Sequence, residues 1–309
     1  MPYLLLILTT LFWSGNFVLS RGMHSEIPPF TLSFWRWAVA LLILACFSLR
    51  HLVNQRELAL DHRKFIIIQG VVGVAGFNSL IYMAMQTTTA INAVLVNSCI
   101  PVIIVLISWA MFNDRLSLRQ GLGVAISLSG VLLIISHGQL RTLLELQFNR
   151  GDILVFIAAI LWAFYSANLK NYPKGLHPLA YQTAIVLVGL TILLPLYLLE
   201  ISTGKIMILS TGSVVTIAYV ALFASVLAFI FWNRAIRILG ANIAGPFIHL
   251  MPVFSTILAV LFLGEKLTPN HIQAILLIFG GIVMTTFRVK KIKKEQPART
   301  AEKRKETGI

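Results

Sequence analysis

Charge is what this chain of 309 residues has least of. Asp, Glu, Lys and Arg together make up 12% of it, about half the share of an ordinary soluble chain. Acid is the scarcest part: there are eleven Asp and Glu residues, and none falls deep in an apolar stretch. That absence removes the intramembrane carboxylate on which a proton pump relies. Cysteine is limited to Cys46 and Cys99. Both lie inside apolar stretches, which argues against a disulfide framework and against a thiolate metal site. The chain has no glycine-rich phosphate loop, no HExxH pair and no GxSxG elbow, so nucleotide, zinc and serine-hydrolase chemistry have no visible anchor. No cofactor, no metal and no catalytic residue is expected.

What the chain does have is apolar length. Its hydrophobic fraction is 58% and its mean hydropathy +0.85. A helical membrane span needs roughly 20 apolar residues. Such stretches fall at 4–20, 30–49, 65–86, 91–112, 118–136, 152–170, 178–199, 212–233, 241–263 and 270–287. In lipid the backbone must satisfy itself, so the expectation is an all-α integral membrane protein of ten transmembrane helices. The first stretch has no Lys or Arg ahead of it and no small-residue cleavage site after it, so an uncleaved helix is expected rather than a signal peptide.

The net charge of +14 does not indicate nucleic acid. Nine of the 25 Lys and Arg residues lie from Arg288 onward, in a polar stretch without aromatics that is expected to be disordered. A basic tail beside a helix end is expected to lie on an anionic membrane leaflet. With both termini inside, the inner connections and tail hold nineteen Lys and Arg and the outer connections five. This bias places both termini in the cytoplasm.

The chain also repeats itself. Asn97-Ser98-Cys99-Ile100-Pro101-Val102, Asn113-Asp114-Arg115-Leu116-Ser117 and Gly130 match Ile248-His249-Leu250-Met251-Pro252-Val253, Gly264-Glu265-Lys266-Leu267-Thr268 and Gly281 at an offset of 151 residues. Earlier in the units the offset is 149, where Trp13 faces Trp162 and Pro29 faces Pro178. Each unit holds five spans, and an odd number inverts the second copy relative to the first. Inverted repeats suit alternating access around a site where the copies meet. Ser117 and Thr268 stand where helix N-caps belong, and Pro269 takes the favoured first helical position.

Paired five-helix units, each with a mid-span proline, an acid-base pair and a glycine-bearing last helix, resemble the EamA type of the drug/metabolite transporter superfamily. The segments Leu263-Gly264-Glu265-Lys266-Leu267-Thr268 and Trp232-Asn233-Arg234-Ala235-Ile236, the latter followed by Leu239-Gly240-Ala241, carry much of the likeness. The resemblance covers about residues 4–287. It implies ten helices around a central cavity and export of small metabolites. The units are expected at 1–138 and 150–288, followed by a basic tail at 289–309.

Pro101 and Pro252 lie near mid-span. Each removes a donor and crowds the carbonyl four residues back, that of Asn97 or Ile248. They read as hinges or cavity-lining breaks, with tolerated kinks as the alternative. Polar residues at helical spacing mark inward faces, because polar groups are costly in hydrocarbon. The candidate binding residues are Trp13, Asn16, Asn78, Tyr82, Asn97, Trp162, Tyr165, Asn233 and His249; the alternative for each is interhelical hydrogen bonding without a ligand. His249 is the one histidine deep in a span. With an ordinary pKa near 6.5 it reads either as a proton carrier or as a packing residue. Arg36, between Trp35 and Trp37, reads as an interfacial anchor that snorkels outward. Asp114-Arg115 and Glu265-Lys266 read as helix-end locks and gate elements. Gly70, Gly73, Gly76 and Gly280-Gly281 read as close-packing surfaces.

The functional expectation is a secondary transporter, an exporter of amino acids or similar small metabolites, acting by alternating access in a bacterial inner membrane. The alternatives are an uncoupled, channel-like facilitator and a membrane-embedded enzyme. The partners expected are a small-molecule substrate and membrane lipids, with no nucleic acid. Ten helices enclose a cavity alone, so a monomer is expected.

Overall fold

The computed structural model describes residues 1–88, 90–136, 138, 139, 141, 144, 149–263 and 269–286, and every regular element among them is helical. Ten helices are long and apolar enough to cross a membrane. They are α1 (Pro2–Gly22), α2 (Pro29–Asn54), α3 (Arg63–Ala84), α4 (Ala90–Asn97 and Ile100–Phe112), α5 (Leu118–Ser136), α6 (Arg150–Asn168), α7 (Pro178–Ser202), α8 (Thr211–Leu239), α9 (Ala241–Ala244, Gly245–His249 and Leu250–Leu263) and α10 (Pro269–Thr286). The chain is a multi-pass membrane protein.

Local chemistry sets the helix ends. Proline opens α2, α7 and α10, where a missing N–H costs nothing. Asn149 caps α6 in a reciprocal box with Asp152, and Ser210 caps α8 with Ser213. Ser117 accepts from the backbone of Gln120 at 3.3 Å while Gln120 accepts from the backbone of Ser117 at 3.0 Å, so it caps α5 as its sequence position suggested. Thr268, Glu265, Lys266 and the tail from Arg288 lie outside the described residues.

Two helices are broken near their middles. α4 turns at Ser98 and Cys99, and α9 narrows to a 3-10 turn at Gly245–His249. Pro101 and Pro252 stand just after the breaks, where each ring fits the first turn of the helix that restarts. The breaks pack against each other: a Cβ on Gly245 would lie 3.4 Å from Pro101 Cα. α3 and α8 each contain a π-helical segment, Gly70–Gly76 and Val220–Leu227. These fall at matching places in the two units. The wide turn frees carbonyls from the regular ladder, and such bulges concentrate at functional sites.

Contacts between connections sort them into two ends. At one end, Gln55 Nε2 donates to the Gly175 carbonyl at 3.0 Å and Lys170 pairs with Asp114 at 2.6 Å; this is the end that carries the N-terminus. At the far end, Arg21 donates to the Met85 carbonyl at 2.9 Å, Ser210 donates to Glu26 at 2.6 Å, and Glu200 accepts from the Thr31 backbone at 2.6 Å. This is the sorting an inverted pair requires.

Glycine packing holds where backbones cross. A Cβ on Gly281 would collide with the Gly123 carbonyl, and one on Gly73 with the Tyr165 ring. Gly280 differs from its sequence reading. Nothing lies within 4 Å of where its Cβ would stand, because it faces outward one residue before the packed Gly281.

Candidate functional site

The helices meet around an aromatic cluster. Trp13 of α1 stands edge-on to Trp162 of α6 at 5.0 Å and tilts against Trp232 of α8 at 5.2 Å. Trp162 stacks on Tyr165 at 5.0 Å and packs against Phe77 at 4.8 Å and Phe229 at 5.3 Å. The indole N–H groups are not wasted: Trp13 donates to the Ala224 carbonyl inside the α8 π segment at 3.2 Å, and Trp232 donates to Ser166 at 3.1 Å.

Beside this cluster lies a small space of about 20 Å³, lined by Trp13, Asn16, Asn78, Asn97 and Trp162 together with Phe17, Phe77, Ile100, Ile248 and Met251. It has room for about one water. Five of the nine sequence candidates therefore share one space, drawn from both units. The side-chain oxygen of Asn97 is buried there without a hydrogen-bond partner. A second void of about 10 Å³ follows at the α4 and α9 breaks, lined by Phe17, Val94, Asn97, Ser98, Ile248, Met251 and Pro252.

Tyr82, Tyr165 and Asn233 stand one layer back, in two matching networks. In the first, Tyr82 donates to Asn16 at 2.9 Å. In the second, Tyr165 donates to Asn233 at 2.8 Å. With the offsets of the repeat, Asn16 corresponds to Tyr165 and Tyr82 to Asn233. The same bond therefore recurs with its two partners exchanged. The second network continues from Asn233 to Gln182 at 3.2 Å, and Gln69 donates to the Tyr165 carbonyl at 3.2 Å and to Tyr181 at 3.3 Å. One amide atom each of Gln69 and Gln182 is left unpaired.

His249 lines neither space. It is fully buried between α4 and α5, with Nδ1 2.7 Å from Ser127 Oγ and Nε2 3.0 Å from the Ser98 carbonyl. It satisfies an oxygen at the α4 break. That geometry is what a packing histidine shows.

Arg36 corrects its sequence reading. It does not snorkel; it is 1% exposed. Its guanidinium donates to Ser225 of the α8 π segment at 2.8 Å, to Asn78 at 2.8 Å and to Tyr82. It also stands 5.1 Å from the Trp37 ring and 5.7 Å from the Tyr82 ring. The polar face of α3 supplies a better environment than the membrane surface two turns away. Sequence reading missed this hub, together with Ser225, Gln69 and Gln182. The two glutamines were legible as polar residues within apolar spans. Ser225 was not, since nothing in the sequence marks a π segment.

At the end carrying the N-terminus, a larger cavity of about 560 Å³ opens between the connections after α4, α6 and α8. Its lining includes Arg115, Lys170, Lys174 and Arg237, with Asp114 the only acid among the described residues. Asn113 turns the corner in the left-handed region at φ 54°, which asparagine tolerates. The Arg237 guanidinium lies 3.9 Å from the Tyr172 ring centre. Burial pushes the Tyr172 phenol up to about 12, with Arg237 pulling the other way. The Lys170–Asp114 pair is half exposed, so its contribution to stability is about 0–1 kcal/mol. It reads as a latch rather than a foundation.

A family model, the EamA-like transporter family, matches residues 1–136 and 149–287. The chain belongs to that family. The two matches cover the two five-helix units, and the family is one of transporters. Similar full-length relatives include an uncharacterized transporter, YyaM, of Bacillus subtilis (strain 168), 26% identical over 94% of this chain and 95% of its own length. An uncharacterized transporter of Archaeoglobus fulgidus is 28% identical over 92% of this chain and 96% of its own. One solved crystal structure aligns with a TM-score of 0.73 at 18% identity, over 92% of this chain and 96% of that one; it bears on the fold alone. In this EamA-like transporter the candidate site is drawn from both matched segments and adjoins both helix breaks.

Proposed function

We propose that this EamA-like protein is a secondary transporter that exports small metabolites, amino acids or molecules like them, across a bacterial inner membrane by alternating access. The observation that carries the reading is the pair of cavities. A central space shared by both units has shrunk to about 20 Å³ among mostly buried side chains, while a cavity of about 560 Å³ lies at one end. A carrier caught between exposures has this shape, and a standing pore does not. The recurrence of the Tyr–Asn bond in both units supports it, because two equivalent halves exchange conformations at similar cost. Side chains at the centre are apolar walls with a few aimed polar atoms, as small-molecule sites are.

The test is counterflow in liposomes holding the purified chain. Vesicles loaded with unlabelled amino acid are expected to accumulate labelled amino acid transiently, without a pH gradient. Flux that never exceeds equilibration would indicate a facilitator pore.

The lysine and arginine bias supports both termini on the cytoplasmic side. A reporter active only in the periplasm, fused after Ile309, is expected to stay silent. Strong activity would reverse the orientation and the export direction with it.

A further inference from the structure

The second unit makes its Tyr–Asn bond without a cation. By the offset of 149, the residue matching Arg36 is Ile185, and Gln182 one turn earlier completes that network with a neutral amide. The second unit therefore forms the same bond without a guanidinium. Burying one is costly, since a charge without an opposite charge is disfavoured in hydrocarbon or in a dry interior and a guanidinium does not shed its proton. All the partners described for Arg36 are neutral: Ser225, Asn78 and Tyr82. Two of the groups it holds directly or through one bond, Asn78 and Asn16, line the central space. Across that space the Asn97 oxygen is buried and unpaired, an acceptor waiting for an N–H or O–H. Trp13 and Trp162 line the same space.

We infer that the substrate carries a carboxylate that Arg36 receives, with a hydrogen-bond donor for Asn97 at its other end and a compact apolar body between. This rests on the transporter reading above and narrows it to one ligand chemistry. With its present partners Arg36 donates to neutral oxygens, and a carboxylate outcompetes them because it adds a full opposite charge and meets the guanidinium in a two-point fork. The open cavity favours the same charge. Among the described residues Arg115, Lys170, Lys174 and Arg237 line it against Asp114, and a cleft lined mostly by one sign of charge raises the local concentration of the opposite sign.

The experiment uses the full chain, purified in detergent and in liposomes. The probes are the L-amino acids, their primary amides and the amines left by removing the carboxyl group. Each is scored by its effect on thermal melting and by counterflow. One or more free carboxylates are expected to raise the melting temperature, with the matching amide and amine weaker by about tenfold or more. Arg36→Gln is expected to abolish that shift and Arg36→Lys to keep part of it. The inference is overturned if an amide binds as tightly as its acid, if folded Arg36→Gln keeps normal affinity, or if no carboxylate shifts the melting. Should Arg36→Gln not fold, the acid-against-amide comparison in the unaltered protein decides alone. Counterflow of a neutral or cationic probe that equals that of its matching acid would sink the Arg36 inference and leave the carrier standing. Absence of counterflow for every probe would sink the carrier reading beneath it.

Discussion

Replacing both Pro101 and Pro252 by alanine is expected to slow counterflow at least about tenfold, while the protein still reaches the membrane in normal amount. Alanine restores the missing N–H and removes the ring that disfavours a continuous helix. The preference for helix rises by about 3 kcal/mol at each position. A tenfold rate loss corresponds to about 1.4 kcal/mol, so a fraction of that preference suffices. The breaks at Ser98–Cys99 and Gly245–His249 pack against each other beside the central space. Straightening both would stiffen the element on which the two units pivot. Each single variant is expected to slow exchange less than the pair. A double variant that exchanges at the normal rate would show the prolines to be packing features only.

The second large effect is expected at Gly73. A side chain there collides with the Tyr165 ring. Tyr165 is fully buried, stacked on Trp162 and bonded to Asn233, so it cannot swing aside without breaking the second network. Gly73→Leu should lower stability by about 1–3 kcal/mol, the range for overpacking a full core, and abolish counterflow in whatever protein folds. Gly280→Leu is the control, since open space surrounds that position; it should melt and exchange as the unaltered chain does. Equal behaviour of the two leucine variants, in melting and in flux, would refute the packing described around Tyr165.

The contrast between these glycines shows what was legible in the sequence. Periodicity and hydropathy located the ten spans to within two turns, the ends of α2 and α8 running five and six residues further than expected. The repeat located the two breaks, since a proline kept in both copies has a backbone consequence wherever it falls. It did not separate Gly280 from Gly281, because one residue of rotation decides which faces a neighbour. Arg36 was misplaced for a related reason. Flanking tryptophans mark an interface only if the helix presents them all to lipid, and the α2 face carrying Arg36 turns inward to Asn78, Tyr82 and Ser225. His249 looked like a site residue from its depth alone. Depth does not say which of the gaps between helices a ring fills, and Ser127 with the Ser98 carbonyl fills its hydrogen-bonding needs. The exchange of partners between Asn16–Tyr82 and Tyr165–Asn233 is invisible to residue-by-residue matching, since it pairs unlike residues. It becomes visible only when the bond itself is compared.

Alternating access requires that the space around Asn97 open to each side of the membrane in turn. The direct measurement is thiol labelling of Asn97→Cys, in a chain whose Cys46 and Cys99 are replaced, with a reagent that does not cross lipid. Labelling is followed from each side, before and after Asp114→Cys and Lys170→Cys are bridged by a bifunctional thiol reagent across the open cavity. Before bridging, position 97 should label from both sides. After bridging, labelling from the side of that cavity should vanish while labelling from the opposite side persists or rises. Labelling that the bridge leaves unchanged from both sides, or that never occurs from the far side, would contradict alternating access.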